Sequence, residues 1–251
     1  MIGVLRMTYN ELYVNSFKYG MMFGKDIKPG DKVTISVLDE NDVVLAIKKA
    51  YIDMTPRTLK NQNEEEKQSL DTEDKAALFS SLATKIIEYI KNGTNDFDVW
   101  HNEICVYFMQ EFAKILEKAH KISEDATYGK AQKIINMTFK YLYCYDDAVD
   151  YFERFVPCHM ALDIYILNWF FSWYAKEYNK DKKRGEKITK DGKYHLPKWS
   201  NLRYEKDNQT DINPQYKEIQ NAIRNHLKNS MPNTPPIEAE FLIWYNERKN
   251  S

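Results

Sequence analysis

"TYGKAQKIINMTFKYLY", Thr127 to Tyr143, decides how this chain is read. Drawn on a helix, Ile134, Ile135, Thr138, Phe139, Tyr141 and Leu142 cover one broad side. Lys133, Asn136, Met137, Lys140 and Cys144 recur at three- and four-residue steps on the other. That spacing predicts a helix, because residues three and four apart share a helical face. The polar stripe has two readings. On an outer helix it is a wetted face, and on a helix packed between two lobes it lines a cleft.

Working outward, the same period recurs. "DKAALFSSLATKIIEYIKNG" places Leu78, Leu82, Ile86 and Ile90 on one face, with Gly93 as its C-cap. Asp96 or Asp98 opens "VWHNEICVYFMQEFAKILEKAH", where Val99, Ile104, Phe108, Phe112, Ile115 and Leu116 make a broad apolar face. "DDAVDYFERF" reads as a short acidic helix that Pro157 breaks. "ALDIYILNWFFSWYA" is apolar on nearly all sides and is expected to be a central buried helix. It is too short to cross a membrane. "PQYKEIQNAIRNHLKN" and "PPIEAEFLIWYNERK" close the chain as helices opened by prolines.

The first sixty residues are less regular. Pro29-Gly30 signals a turn, and "KVTISV" alternates like a strand. "VVLAIKKAYIDM" is either its hairpin partner or a helix capped by Asn41 or Asp42, and helix is favoured. The expected fold is mainly α, a two-lobed helical bundle, with a small β-hairpin near the N-terminus left open. Residues 1–62 form an N-terminal segment and residues 71–251 a helical domain, joined through the polar stretch "KNQNEEEKQSLDTEDK".

Composition narrows the function classes. Net charge is −1, from 36 Lys+Arg against 37 Asp+Glu, so bulk charge gives nucleic-acid binding no support. Local clustering does better, because residues 176–193 carry eight basic and four acidic side chains. That segment reads as a basic loop, either solvated or in contact with nucleic acid. The 18 tyrosines and 5 tryptophans suit both cores and binding clefts. Cys105, Cys144 and Cys158 are odd in number and lack C-x-x-C spacing, which argues against disulfide frameworks and cysteine metal sites. Free buried thiols in a reducing cytosol are expected, with no metal and no cofactor. Phosphate-loop, dinucleotide, zincin and nucleophile-elbow patterns are absent. Without an apolar leader or span, a soluble cytoplasmic protein with no membrane partner is expected.

Two local features carry chemistry. Gly129 stands four residues before Lys133 with the small Ala131 between, and glycine permits a tight turn or the close approach of another backbone or a phosphate. First-turn amides at such a helix start bind anions. A partly desolvated Lys133 would drop from about 10.4 toward the working range and become nucleophilic. Asp163 directly precedes an apolar helix, an N-cap position where helix-end charge keeps a carboxylate ionised.

Together these segments resemble the helix–hairpin–helix DNA glycosylase superfamily. "GKAQK" (Gly129–Lys133) resembles its hairpin with the catalytic lysine, and "HMALD" (His159–Asp163) resembles its aspartate segment. The run "QKIINMTFKY" is most similar to the archaeal 8-oxoguanine glycosylase branch, where a Gln-Lys pair opens a similar helix. The resemblance spans roughly residues 125–175, about a fifth of the chain. Ala131 stands where the second hairpin glycine is usual, and Ala161 where a proline is usual. The acidic "DDAVDYFERF" would be an insertion, and no iron–sulfur cysteines follow.

The resemblance implies a glycosylase/lyase acting on damaged DNA with the base flipped out, the base being an oxidised purine if the nearest branch is followed. Lys133 would attack the sugar carbon and form a Schiff base, while Asp163 would stabilise charge on the sugar. Gly129, Lys130 and Ala131 would meet the DNA backbone. Tyr128, Gln132, Asn136, Lys140, His159 and Trp199 are the candidate substrate-binding residues. Lys140 would touch phosphate or pair with an acid, and it becomes the nucleophile if the alignment shifts by two turns. Two other readings stay open. One is a non-catalytic helical nucleic-acid-binding protein. The other is a helical module with a protein partner, such as a phage or host-defence factor, in which Lys133 and Asp163 are structural.

Overall fold

The computed structural model describes residues 35–54, 73–94, 96–119, 123–181, 183, 198–207 and 213–249. Eight α-helices and no β-strand occur among them. Helix α1 spans Glu40–Met54, α2 Glu73–Asn92, α3 Phe97–Lys118 and α4 Tyr128–Leu142. The short α5 is Phe152–Phe155, followed by α6 Ile164–Tyr178, α7 Tyr216–Ser230 and α8 Pro236–Lys249. The mainly helical fold expected from the periodicity is therefore present. The turn at Pro29-Gly30, residues 60–72 of the polar stretch and most of the basic segment lie outside the described residues, and the end of that stretch, 73–75, opens α2.

Local chemistry explains the helix ends. Asp39, one residue before α1, accepts from the amides of Asn41 and Asp42, so the cap lies just upstream of the two residues the sequence suggested. Asp96 caps α3 through the amides of Asp98 and Val99. Gly93 ends α2 with φ +71°, a left-handed conformation that glycine adopts without a Cβ penalty, and its amide donates to Tyr89 O at 2.7 Å. Gln215 and Glu218 form a reciprocal capping box at the start of α7. "DDAVDYFERF" becomes a 3₁₀ turn, Ala148–Tyr151, running into α5, which stops before Pro157.

Helix α4 lies at the centre. Thirteen of its fifteen residues are buried. It packs against α1 and α3, and the 3₁₀ turn Trp199–Asn201 closes over its first turns. Helix α2 bridges α1 and α3, while α6 packs on α8 and α7. Residues 35–54 thus belong to the same packed body as the rest: Ser36 and Val37 are bonded to Asp147, and the Tyr145 hydroxyl donates to Asp42 O at 2.7 Å.

Two expectations about burial are corrected. Helix α6, apolar on nearly all sides, buries only Ile166, Leu167 and Phe170, and Ile164 is exposed. Phe170 joins the core, while Trp173, Tyr174 and Tyr178 lie half-buried along a groove. Val99, expected on the apolar face of α3, is 52 % exposed, and His101 is fully buried.

Candidate functional site

The polar stripe of α4 turns inward, and the structure splits it into three groups. The first is a buried hydrogen-bond network. Asn136 Oδ1 accepts from His101 Nε2 at 2.7 Å, while Asn136 Nδ2 lies 2.9 Å from the Tyr216 hydroxyl and 3.0 Å from Gln132 Oε1. The Tyr216 hydroxyl lies 2.8 Å from His159 Nδ1, and His159 Nε2 lies 2.8 Å from Asp98 Oδ1. Arg224 holds Asp98 with two guanidinium hydrogen bonds, at 2.8 and 2.5 Å. One proton assignment satisfies the main chain of contacts. Neutral His159 donates from Nε2 to Asp98 and accepts the Tyr216 proton at Nδ1, and Tyr216 oxygen accepts from Asn136. Neutral His101 donates from Nε2 to Asn136, leaving Nδ1 facing the Cys105 thiol at 3.7 Å.

The electrostatics agree with that assignment. Burial pushes both histidines below their ordinary range, furthest for the fully enclosed His101, where the neighbouring His159 adds to the effect. Burial alone would raise Asp98, but hydrogen bonds from His159 and Arg224, together with the Arg224 charge, hold its carboxyl well below the usual range. Burial pushes Cys105, Cys158, Tyr128 and Tyr216 far up. All three cysteines are buried and outside any disulfide, as expected from their spacing, and burial keeps Cys105 and Cys158 as thiols.

The second group is an ion pair. Lys140 Nζ stands 2.7 Å from Glu240 Oε1, with both side chains 1 % exposed. Glu240 Oε2 accepts from the amide of Ala161 at 2.8 Å. Burial raises the Glu240 carboxyl, partly offset by Lys140. The ammonium also lies 5.1 Å from the Phe241 ring centre and 5.3 Å from that of Trp244. Trp244 Nε1 in turn donates to Asp163 Oδ2 at 3.2 Å. Asp163 Oδ1 caps α6, accepting from Tyr165 N at 2.9 Å and Ile166 N at 3.0 Å, as the N-cap reading expected.

The third group gathers at the start of α4. Lys133 is half-buried, with its ammonium 4.3 Å from the centre of the Trp199 ring, a cation–π contact. Thr127 is the N-cap, so Gly129 lies inside the first turn of the helix instead of in a turn before it. A Cβ there would overlap the carbonyl oxygen of Trp199 and stand 2.8 Å from the carbonyl carbon of Ser200. Of the approaches a glycine permits, the close one here is by the protein's own backbone. Thr127 Oγ1 fastens that backbone by donating to Ser200 O at 2.6 Å. Lys130 is 8 % exposed and faces Asp125 at 3.4 Å, and Ala131 is fully buried.

The sequence candidates are therefore distributed. Tyr128, Gln132, Asn136 and His159 cluster around Tyr216, with the Tyr128 and Tyr216 rings 5.3 Å apart. Lys133 pairs with Trp199. Lys140 and Asp163 meet through Glu240 and Trp244. Gln132 ties the groups together, because its Nε2 lies 2.9 Å from Gly129 O and 3.3 Å from Leu162 O. Asp98, His101, Tyr216, Arg224 and Glu240 were not singled out as site residues. His101 and Glu240 had a readable signal, a polar side chain on the apolar face of a helix.

Among the described residues no group of three or more His, Cys, Asp or Glu is arranged to hold a metal ion. No described helix is long and apolar enough to cross a membrane. No family model, no curated protein and no solved structure matches this chain.

Proposed function

We propose that this chain is a non-catalytic helical binding protein whose α4 stripe is internal scaffold and whose ligand is nucleic acid. The observation that carries the reading is how the stripe is engaged. Gln132 and Asn136 are tied into the His101–Tyr216–His159 network, Lys140 into Glu240, and Asp163 into the α6 cap and Trp244. A nucleophilic lysine requires an amine open to substrate. The Lys140 ammonium is enclosed, and the helix start expected to meet phosphate is covered by residues 199–200. Nucleic acid is favoured as ligand by the eight basic side chains of residues 176–193. Mobility-shift titration against single- and double-stranded DNA and RNA tests this reading. Binding should weaken steeply as salt rises, because displaced counterions drive such association. Failure to retain any nucleic acid at low salt would transfer the proposal to a protein partner.

A second reading, the DNA glycosylase/lyase with its two-lobed bundle and helix–hairpin–helix-like element, has one observation in its favour. The Gln132–Leu162 contact sets the backbone of Asp163 beside the first turns of α4, where Lys133 is the next residue. In that reading Lys133 leaves Trp199 when DNA enters and attacks the sugar of a flipped nucleotide, with an oxidised purine as the released base. An adduct trapped by borohydride on damaged duplex, and lost in Lys133→Ala, would establish it.

A further inference from the structure

Helices α6 and α7 flank an open groove of about 470 Å³, within the size range of ligand sites. Trp173, Tyr174 and Tyr178 form its α6 wall, and Asn225, His226 and Asn229 its α7 wall. Trp173 stacks on His226 with ring centres 3.9 Å apart and planes 11° from parallel. Tyr174 is braced from behind by Phe170 at 4.5 Å. The Trp173 indole nitrogen is buried yet has no hydrogen-bond partner among the described residues. Lys176 is exposed near the end of α6, next to the groove-lining Glu177, and Lys180 and Lys183 are exposed just beyond the helix.

We infer that this groove binds the bases of a single-stranded nucleic acid. The inference deepens the proposed function and rests on it for the class of ligand. Every base offers a π-face to an aromatic wall, so stacking tolerates sequence. Asn225 and Asn229 each carry a donor and an acceptor suited to a base edge, and Glu177 accepts from exocyclic amines. The lysines beside the groove meet the phosphates that connect successive bases. A duplex keeps its bases stacked inside and cannot present them to Trp173.

The test uses the full chain and short fluorescein-labelled single strands of DNA and RNA, read by anisotropy. Single strands should bind more tightly than the matching duplex and should quench tryptophan emission. Trp173→Ala should weaken binding about tenfold, the scale of losing one stacked base. Asn225→Ala/Asn229→Ala, on exposed positions, should weaken it severalfold, with circular dichroism showing both proteins folded. Strands that bind folded wild type and groove variants equally overturn the groove while leaving nucleic-acid binding intact. Wild type that binds no strand overturns both. A mononucleotide that binds as tightly as a strand overturns the strand as occupant and assigns the groove to a free nucleotide.

Discussion

If the α4 stripe is scaffold, removing the Lys140 charge should cost stability first. Lys140 and Glu240 are each 1 % exposed, and Glu240 also holds the Ala161 amide. Lys140→Met leaves a carboxylate in the interior without its cation, and breaking a buried pair from one side costs about 3–5 kcal/mol. Against a typical total of about 5–15 kcal/mol that is a large share. For a chain of this size it lowers Tm by about 6–20 °C. Protonation moderates the loss. Burial already raises Glu240 above its ordinary 4.5, and without Lys140 it rises further. The native variant then binds a proton that the unfolded chain does not, so the deficit should shrink as pH falls from 7 toward about 5. The double variant Lys140→Met/Glu240→Gln removes both charges and keeps an acceptor for Ala161 N, so it should be more stable than either single variant. Urea unfolding followed by tryptophan fluorescence measures all three variants. A Lys140→Met protein within about 0.5 kcal/mol of wild type, the range of an ordinary surface change, would refute the reasoning.

Three further outcomes follow from the same geometry. Native His101 and His159 resist protonation, whereas the unfolded chain takes up both protons near 6.5. Stability should therefore be greatest above pH 6.5 and fall below it, by up to about 2.7 kcal/mol per pH unit, with Glu240 opposing in part; a flat urea midpoint from pH 8 to 5 would contradict this. Gly129→Ala, which inside most helices gains up to about 1 kcal/mol, should instead lose about 1–3 kcal/mol by pushing off residues 199–200, and a raised Tm would count against that packing. Asp163→Ala should cost about 0.5–2 kcal/mol as a lost cap, while Asp163→Asn, a comparable cap, should unfold near wild type and bind nucleic acid unchanged; equal losses in both variants would point away from capping.

The helices were legible because periodicity is local. Leu78, Leu82, Ile86 and Ile90 are all buried, and Gly93 and Asp96 cap where their chemistry suggests. The destination of the α4 stripe was not legible. Asn136 meets His101 35 positions away and Tyr216 80 positions away, and Lys140 meets Glu240 100 positions away. No local pattern encodes such pairings, and an unpaired polar stripe reads as wet or catalytic. Helix α6 misled for the opposite reason. Trp169, Trp173 and Tyr174 raise its apolarity, yet large amphipathic rings also serve at half-buried walls.

Borohydride trapping tests the central claim most directly. The full chain would be incubated with abasic and 8-oxoguanine duplexes, reduced, and resolved on denaturing gels beside Lys133→Ala and Lys140→Met. The scaffold account predicts no covalent adduct from any protein, while the folded wild type still shifts nucleic acid on native gels. An adduct formed by wild type and abolished in a folded Lys133→Ala protein would contradict the account and make the start of α4 an active site.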